Sequence, residues 1–312
     1  MWGVGLISNN SKEFLPLVTI GVCVRNSAST ILETIKSIIS QDYPHELIEV
    51  IFVDDGSQDQ TASIIIEYAS KMDIKTKIFR HKWKGLGASR NVVIRNANGK
   101  YIVWVDGDMV ISKNFVTMLV NFMEKNPKVA IAKGKHGLIK TKSLAAFLEN
   151  VLFIIYDYEE SDGIPRRLPG TGGSIYRIEA IKEVGGFDNN LRGVGEDQDI
   201  AQRIKLAGWR INKASAVFYE RHRKTWKGLW KEYYWWGQGM YETLRKHPRL
   251  IKIYKMLPLV GFLTGIIYSV KAYRIFGKTK VFLLPLHFVF KFSAWCLGFL
   301  DSFLNSQKKG IL

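Results

Sequence analysis

The chain has 312 residues, of which 47% are hydrophobic, and it carries a formal net charge of +17 at pH 7. This length is sufficient for one large domain with a buried core and a smaller appendage. The two cysteines, Cys23 and Cys296, exclude a metal site built on cysteine thiolates and argue against a disulfide framework.

The positive charge is concentrated in the last third of the chain. Residues 1–204 carry 25 Lys and Arg against 24 Asp and Glu, whereas residues 205–312 carry 20 against 4. The basic residues alternate with aromatic ones such as Trp226, Trp230 and Tyr233. Because Trp and Tyr settle at headgroup depth and Lys and Arg meet anionic lipid, this pattern indicates a membrane surface as a partner. Nucleic acid is the second interpretation, but no recognisable binding module accompanies the charge, and we expect no nucleic-acid partner.

Strand-like and helix-like runs alternate along the first two-thirds of the chain, which is typical of an α/β domain. The predicted strands are 17–24, 48–53, 77–80 and 101–105, and the predicted helices after the first are 61–71, 86–97, 112–125, 143–157 and 197–207. The first helix follows Thr30 and Glu33, which predict a capping box, and it ends at Tyr43-Pro44. Polar or acidic clusters follow three strands, at the edge where ligands bind in an open parallel sheet.

The first acidic cluster, from Asp54 to Asp59, follows the second predicted strand. An Asp-Gly pair makes a turn, and Asp59 can cap the following helix. Equally, a carboxylate at a strand end can accept hydrogen bonds from a nucleobase or a ribose. The residues alone leave both interpretations open.

Basic and amide side chains flank a glycine-containing helix start at residues 85–89, namely Lys84, Arg90 and Asn91. The sequence contains neither a dinucleotide-binding fingerprint nor a Walker loop. Phosphate groups of a ligand would therefore need a metal ion and basic side chains rather than a cradle of glycines.

The turn Asp106-Gly107-Asp108 follows the fourth predicted strand directly. Two carboxylates this close repel each other, so both stay ionised only beside a cation or strong hydrogen-bond donors. Mg²⁺ or Mn²⁺ accepts oxygen ligands and keeps coordination positions open for phosphate oxygens, which would hold a diphosphate. The alternative is an ordinary Asp-Gly turn after a strand.

Two further candidates lie later in the chain. Glu196 and Asp197 begin a predicted helix, where acidic residues are favoured by the helix dipole, and an acid there can also serve as a general base. His222 follows the strand-like run AVFY. A lone histidine is usually structural or solvated, and the sharper hypothesis makes His222 a third metal ligand or a diphosphate contact.

Two apolar runs, 256–270 and 281–300, occupy the end of the chain. The first has 15 residues, fewer than the roughly 20 that cross a bilayer upright. The second carries Lys291, which costs about 2.5 to 3.5 kcal/mol at the bilayer centre. Two spans would also place the basic connection 271–280 outside, against the positive-inside rule. We therefore hypothesise a pair of interfacial or re-entrant helices.

The order of these motifs resembles that of the family 2 glycosyltransferases of the GT-A fold. The resemblance covers roughly residues 17–222 and rests on the segments VDDGSQD, GLGASRN, YIVWVDGD, GGSIYR, EVGGFD and GEDQDIAQRIKLAGW, which follow a first strand ending in a polar turn at Asn26. Each motif alone is weak evidence for the resemblance, whereas the whole set in this order is highly specific. It implies a mixed, mainly parallel α/β sheet flanked by helices, with a C-terminal helical membrane-associated region.

The resemblance also implies roles for particular residues. The nucleoside site of the family maps to Val24, Arg25, Asn26, Asp54 and Asp55, its metal and diphosphate site to Asp106 and Asp108, and its base to Asp197 beside Glu196. Arg90 falls where the family often has a basic residue near the nucleotide. With the neighbouring Lys84 and Gly107, these positions form the candidate nucleotide-sugar-binding set. The implied reaction inverts the anomeric centre, and Mg²⁺ or Mn²⁺ is the expected cofactor.

The sequence thus predicts a metal-dependent glycosyltransferase that moves a sugar from a nucleotide diphosphate donor. The acceptor is expected at the membrane, as a polyprenyl phosphate, a lipid-linked glycan or a polysaccharide. The predicted regions are a catalytic domain (1–215), a basic aromatic interfacial segment (216–250) and membrane-associated helices (251–312). The start MWGVGLISNN has no features of a secretory signal, so we expect the catalytic part at the cytoplasmic side of the cell membrane.

Two competing functions remain. A nucleotidyltransferase of related fold would build its phosphate site from an early glycine-rich, basic loop, and residues 24–34 hold neither feature. A membrane-bound nucleotide-binding scaffold without transfer activity would be expected to have lost the Asp-x-Asp or the Glu-Asp pair, and both are present.

Overall fold

The computed structural model describes residues 15–159, 167–191, 193–250 and 252–309. The segment MWGVGLISNN, on which the expectation about a secretory signal depends, lies outside the described residues.

A mixed sheet of eight strands forms the centre of the described structure, in the order β3-β2-β1-β4-β7-β6-β8-β5. The strands are β1 (Val18–Val24), β2 (Ile48–Asp54), β3 (Lys75–Arg80), β4 (Tyr101–Trp104), β5 (Met109–Ile111), β6 (Val129–His136), β7 (Ser174–Arg177) and β8 (Arg210–Glu220). The strands β3, β2, β1 and β4 run parallel, β7 is antiparallel to both of its neighbours, and β8 is parallel to β6 and antiparallel to β5. The predicted mixed α/β fold is confirmed.

Ten α-helices are described. They are α1 (Ile31–Ile39), α2 (Thr61–Ala69), α3 (Leu86–Asn96), α4 (Phe115–Lys125), α5 (Leu144–Glu159), α6 (Ile178–Glu183), α7 (Glu196–Leu206), α8 (Trp226–Lys246), α9 (Pro258–Phe276) and α10 (Leu284–Lys309). Short 3₁₀ turns at His45–Leu47, Ile253–Met256 and Thr279–Leu283 complete the connections. The six helices predicted from the first two-thirds of the sequence are all present. Their ends lie within three residues of the prediction, except that α1 ends at Ile39, before the predicted end at Tyr43-Pro44.

The first strands are apolar because both of their faces are covered. All seven residues of β1 and of β2 are buried, as expected for parallel strands between two helical layers. Alternate side chains pack against α1 and α4 on one face and against α3, α6 and α7 on the other. This register brings Val24 opposite Asp54 and ends β4 two residues before Asp106, so the predicted acidic clusters share one edge of the sheet.

Strand β8 continues past the predicted domain boundary. It pairs with β5, placing Phe218 opposite Ile111 and Glu220 opposite Met109. The boundary between residues 215 and 216 therefore falls inside a strand of the central sheet. The run AVFY belongs to the sheet because its apolar side chains complete the core around Phe115.

The C-terminal helices pack on one another and on α5. Two segments have the length and composition to cross a membrane: Pro258–Phe276, with mean hydropathy 1.3, and Thr279–Gln307, with mean hydropathy 1.6. They differ in burial, because 22% of the first apolar window and 50% of the second are buried inside the protein.

Lys291 of α10 is buried between helices instead of facing lipid. Its Nζ lies 3.0 Å from Oε1 of Glu149 and 2.9 Å from the hydroxyl of Tyr233. His287 Nε2 lies 2.5 Å from the same Glu149 oxygen, and Tyr233 donates to the other oxygen at 2.8 Å. We call these four residues, all at most 5% exposed, the helix cluster. The cost expected for Lys291 at a bilayer centre does not arise here, since a carboxylate pairs with it inside the protein.

Candidate active site

The Asp106-Gly107-Asp108 turn is held against the end of β1. A Cβ atom on Gly107 would lie 2.7 Å from Cγ1 of Val24, so only glycine permits this approach. The hydroxyl of Thr30 donates to the carbonyl of Gly107 at 2.7 Å and makes no capping bond to its own helix. The predicted capping box at Thr30 is therefore wrong, because the hydroxyl instead fixes this turn.

Carboxylates are crowded around the turn. Glu220 lies on the neighbouring strand, where the amide of Arg221 donates to the Asp108 carbonyl at 3.1 Å. Burial raises the pKa of Asp108 to about 8, and the charges of Glu220 and Asp106 add to the rise. Burial also raises the pKa of Asp106, against the opposing effect of Arg90. We call Asp106, Asp108 and Glu220 the strand-end cluster.

This excess of negative charge fits a divalent cation with oxygen ligands. In the described part of the chain, however, no three His, Cys, Asp or Glu side chains converge closely enough to hold a metal ion by themselves. Asp106 and Asp108 would thus supply part of a coordination shell. Phosphate oxygens of a ligand would complete it, as is common for Mg²⁺ at nucleotide sites.

Arg90 connects the strand-end cluster to the start of α7. Its guanidinium forms a buried ion pair with Glu196 and lies 3.9 Å from Oδ1 of Asp106. It also lies 5.6 Å from the ring centroid of Phe187. Because these groups surround Arg90, which is 4% exposed, it is placed to hold the site together rather than to reach into solvent for a phosphate.

The two acids of the Glu-Asp pair occupy different environments. Glu196 is 3% exposed, and burial raises its pKa to about 7 although Arg90 opposes the shift. Asp197 is half-buried and accepts a hydrogen bond from the amide of Gln198 at 2.8 Å. Its Oδ2 lies 3.1 Å from the position of a Cβ on Gly170, so it faces the loop that precedes β7. Of the pair, Asp197 has the carboxylate that an incoming group can reach.

Asp54 and Asp55 shape the loops next to the site. Asp54 accepts from the amide of Ser57 at 2.8 Å, and Asp55 accepts from the amides of Lys84 and Gly85 at 2.7 and 3.0 Å. Both aspartates are 2% exposed. Asn26, in the left-handed region with a φ of 52°, accepts from the amide of Gln58 at 2.8 Å. These hydrogen bonds support the interpretation of residues 54–59 as a structural turn. The same turn forms the rim of a cavity, so a role in binding a nucleobase or ribose stays a prediction.

That cavity has a volume of about 500 Å³ and lies beside the end of β2. It is lined by Arg25, Gly56, Ser57, Gln58, Arg80, His81, Lys82 and Trp83. The guanidinium of Arg25 lies 5.6 Å from the ring centroid of Trp83, which is 50% exposed. Sequence reasoning selected Arg25 and missed Arg80, His81 and Trp83, for which the only signal was an apolar ring in a basic loop after β3.

His222 lies in a buried aromatic setting. Its ring stacks on Phe153 with centroids 5.0 Å apart, and its Nε2 is buried without a hydrogen-bond partner in the described structure. Burial lowers the pKa of His222, against the charges of Glu220 and Glu149. The imidazole is therefore neutral at pH 7 and retains a free ring nitrogen. Its role as a metal ligand stays a prediction.

Sequence reasoning also missed the residues that orient Glu220. His136 lies with Nε2 3.3 Å from Glu220 and Nδ1 2.7 Å from Asp157, and Lys213 lies 2.6 Å from the other Asp157 oxygen. Burial alone would raise the pKa of Glu220, but the hydrogen bond with His136 and nearby positive charges lower it to about 2. Glu220 is thus ionised, and its negative charge adds to the raised pKa of Asp108.

Comparison with known proteins agrees with this architecture. A model of Glycosyl transferase family 2 matches residues 19–185. The chain is 28% identical over 255 residues to the probable glycosyltransferase YdaM of Bacillus subtilis, covering 78% of this chain and 60% of that protein. It is 26% identical over 224 residues to the poly-beta-1,6-N-acetyl-D-glucosamine synthase of Staphylococcus epidermidis, covering 70% and 53%.

Among solved structures, the mannosyltransferase PcManGT of Pyrobaculum calidifontis in complex with GDP-Man and Mn²⁺ has the same fold. The TM-score is 0.68 at 20% identity, over 94% of this chain and 88% of that one. The chain spans little more than half the length of the two curated relatives. Since the family model covers more than half of the 312 residues, the chain belongs to glycosyl transferase family 2.

Proposed function

We propose that the chain is a metal-dependent, inverting glycosyltransferase that moves a sugar from a nucleoside diphosphate donor to an acceptor presented at a membrane. The observation that carries the proposal is that one edge of the sheet brings together a cavity, two half-buried carboxylates with raised pKa, Asp106 and Asp108, and the half-buried Asp197 at the start of α7. The names of the relatives support sugar transfer as the reaction.

The donor would lie along this edge. The cavity beside Trp83 and Arg25 has room for a nucleobase and ribose, which can stack on the exposed ring. Asp106 and Asp108 would hold Mg²⁺ or Mn²⁺. An ion held there would supply positive charge to neutralise the negative charge that develops on the departing diphosphate. The complex of PcManGT with GDP-Man and Mn²⁺ supports this assignment of a divalent metal.

Asp197 would act on the acceptor. An inverting displacement needs the acceptor oxygen in line behind the anomeric carbon, opposite the leaving diphosphate. Asp197 accepts the acceptor proton at its carboxylate, while Arg90 holds Glu196 and thereby the first turn of α7. The division of roles explains why one acid of the pair is accessible and the other is enclosed.

Helix α5 supports a membrane-presented acceptor. Its Phe153 packs on His222 at the site, and its Tyr156 packs on Tyr268 of α9 with ring centroids 5.5 Å apart. A single helix layer, roughly 10 Å thick, therefore separates the site from the apolar helices. A polyprenyl phosphate, a lipid-linked glycan or a growing polysaccharide at the cytoplasmic face of the cell membrane suits this position.

The proposal predicts that Asp197→Asn loses transfer and retains the donor. Removal of a general base lowers the turnover rate by about 10²- to 10⁴-fold, because the acceptor proton has no recipient. The measurement is transfer of labelled sugar from a panel of nucleotide sugars to membrane lipids, with donor binding recorded in parallel. Gln198→Asn, one residue further along α7, is the control and keeps activity. Full transfer by Asp197→Asn would refute the assignment of the base.

A further inference from the structure

Helix α9 has its large apolar side chains on the outside. Leu259, Phe262, Leu263, Ile266, Ile267 and Val270 follow helical spacing along one face and are 37% to 73% exposed. Apart from Tyr268, the buried residues of the inner face are small. A Cβ on Gly261 would lie 2.6 Å from Phe292, and one on Gly265 would lie 2.5 Å from Pro285. Close packing on α10 thus leaves the broad apolar face of α9 unpartnered.

Helix α10 is bound to the catalytic domain by its polar residues. Lys291 and His287 both reach Glu149 of α5, and the three side chains are at most 3% exposed. To cross a bilayer, α10 would have to break this ion pair or take α5 with it. The first change would leave a charged group unpaired in an apolar medium, which is strongly unfavourable. The second would pull Asp157 of α5 away from His136 and Lys213, with which it forms ion pairs.

The charges that surround the apolar face are of one sign. From Lys252 to Lys280 the sequence contains six Lys and Arg residues and no Asp or Glu. Lys271 and Arg274 lie in the last turns of α9, and Lys278 and Lys280 follow it. Such a border complements anionic lipid headgroups, and it would repel an identical basic border on a second copy of this chain.

We propose that α9 lies in the plane of one anionic membrane leaflet, with its outward face among the acyl chains and its basic residues among the headgroups. Helix α10 stays on the protein through the helix cluster and contributes only its outer edge, including Leu286. The attachment is monotopic, and residues 277–280 lie on the same side of the membrane as the catalytic sheet. It does not depend on the identity of the donor or the acceptor.

Vesicle flotation tests the partner. The full chain is mixed with phosphatidylcholine vesicles that contain or lack phosphatidylglycerol. We expect flotation with the anionic vesicles, weaker flotation with the neutral ones, and a loss of about tenfold or more in Ile266→Glu/Ile267→Glu. Ile66→Glu is the matched control, since Ile66 on α2 is 59% exposed and Ile267 is 57% exposed. Far-UV circular dichroism and the unfolding midpoint of each variant confirm folding without a nucleotide, so failure of this inference is distinguishable from failure of the proposed function.

Cysteine labelling tests the topology. Lys278→Cys and, as a reference, Lys36→Cys at an exposed position of α1 are placed in a Cys296→Ala background. Cys23 does not interfere, because it is buried and desolvation raises its pKa to about 12. A membrane-impermeant maleimide should label both positions from the same side of sealed vesicles. Labelling of position 278 only from the opposite side would overturn the proposal. So would unchanged flotation of the double variant, or dimerisation of the wild type that the double variant abolishes.

Discussion

Two groups of charged side chains, the buried helix cluster and the half-buried strand-end cluster, differ in how their charges are balanced. In the helix cluster, Glu149 is matched by Lys291, His287 and the Tyr233 hydroxyl. Burial alone would raise the pKa of Glu149, but Lys291 and His287 hold it well below its usual range. In the strand-end cluster, the Asp108 carboxylate faces other acids, and its pKa rises to about 8.

The comparison distinguishes charged groups that stabilise the fold from charged groups that favour the binding of a ligand. A carboxylate that the fold has fully paired stabilises the packing of helices. A carboxylate whose neighbours are also acidic is destabilising until a cation arrives, and such groups concentrate at functional sites. Variants in the first group should therefore lower stability, whereas variants in the second should change ligand binding and spare the fold.

The largest effect is expected from Glu149→Gln. Loss of this carboxylate leaves Lys291 charged and buried without a counter-ion, which should lower the free energy of unfolding by about 3 to 5 kcal/mol. Denaturant unfolding in mild detergent measures the change. Glu67→Gln removes an exposed partner of Lys71, where both side chains are more than half exposed, and should leave the free energy of unfolding almost unchanged.

A second variant separates pairing from packing. Glu149→Leu combined with Lys291→Met removes both charges and should recover much of the loss. If Glu149→Gln were as stable as the wild type, the helix cluster would not hold α10 on the protein, and the first half of the comparison would fail.

Asp108→Asn should raise the free energy of unfolding when metal is absent, whereas Glu149→Gln lowers it. A folded-state pKa raised to about 8 means that this group stabilises the fold below pH 4 and loses that contribution as the pH rises toward 8. The amide carries no charge, so the variant should be more stable than the metal-free wild type by at least about 1 kcal/mol at pH 7.5. Unfolding midpoints in EDTA provide the measurement. A variant less stable than the wild type would show that the acids are already compensated.

The smallest effect concerns Asp157, a paired acid close to the strand-end cluster. Burial would raise its pKa, but His136 and Lys213 lower it to about 2. The Asp157 carboxylate therefore contributes to the free energy of unfolding above pH 4, and this contribution is lost as the pH falls toward 2. The wild type should lose about 1 kcal/mol of it between pH 7 and pH 3. Asp157→Asn should lack that part of the acid sensitivity, whereas Asp73→Asn, at a 70% exposed position, should keep it. Equal acid sensitivity in all three proteins would contradict the pairing.

The first four strands and the position of the acidic turns could be predicted because they depend on local patterns, whereas the order of the eight strands in the sheet was not predicted. Runs such as IEVIFV are apolar throughout because both faces of β2 are covered, and Asp54 ends the run where the strand ends. Parallel strands then bring these ends to one edge. The helices were predictable for the same reason, since their apolar spacing is local.

The partners of buried charges could not be predicted, because they come from distant parts of the chain. Glu149 and Lys291 are 142 residues apart, and Arg90 and Glu196 are 106 apart. Nothing in the local sequence of Lys291 indicates a carboxylate from α5, so a lysine in an apolar run was interpreted as a cost of membrane insertion. Glu220 was missed likewise, because only its register opposite Met109 brings it to Asp108.

The central claim is that the strand-end cluster and the adjoining cavity form a metal-dependent site for a nucleoside diphosphate. Thermal unfolding of the wild type and of Asp108→Asn with UDP, GDP, CDP and ADP, in Mn²⁺ or in EDTA, tests it most directly. We predict that one nucleotide raises the midpoint of the wild type only with Mn²⁺, and that Asp108→Asn abolishes the rise. No response to any nucleotide, or an equal response in EDTA and in the variant, would contradict the account.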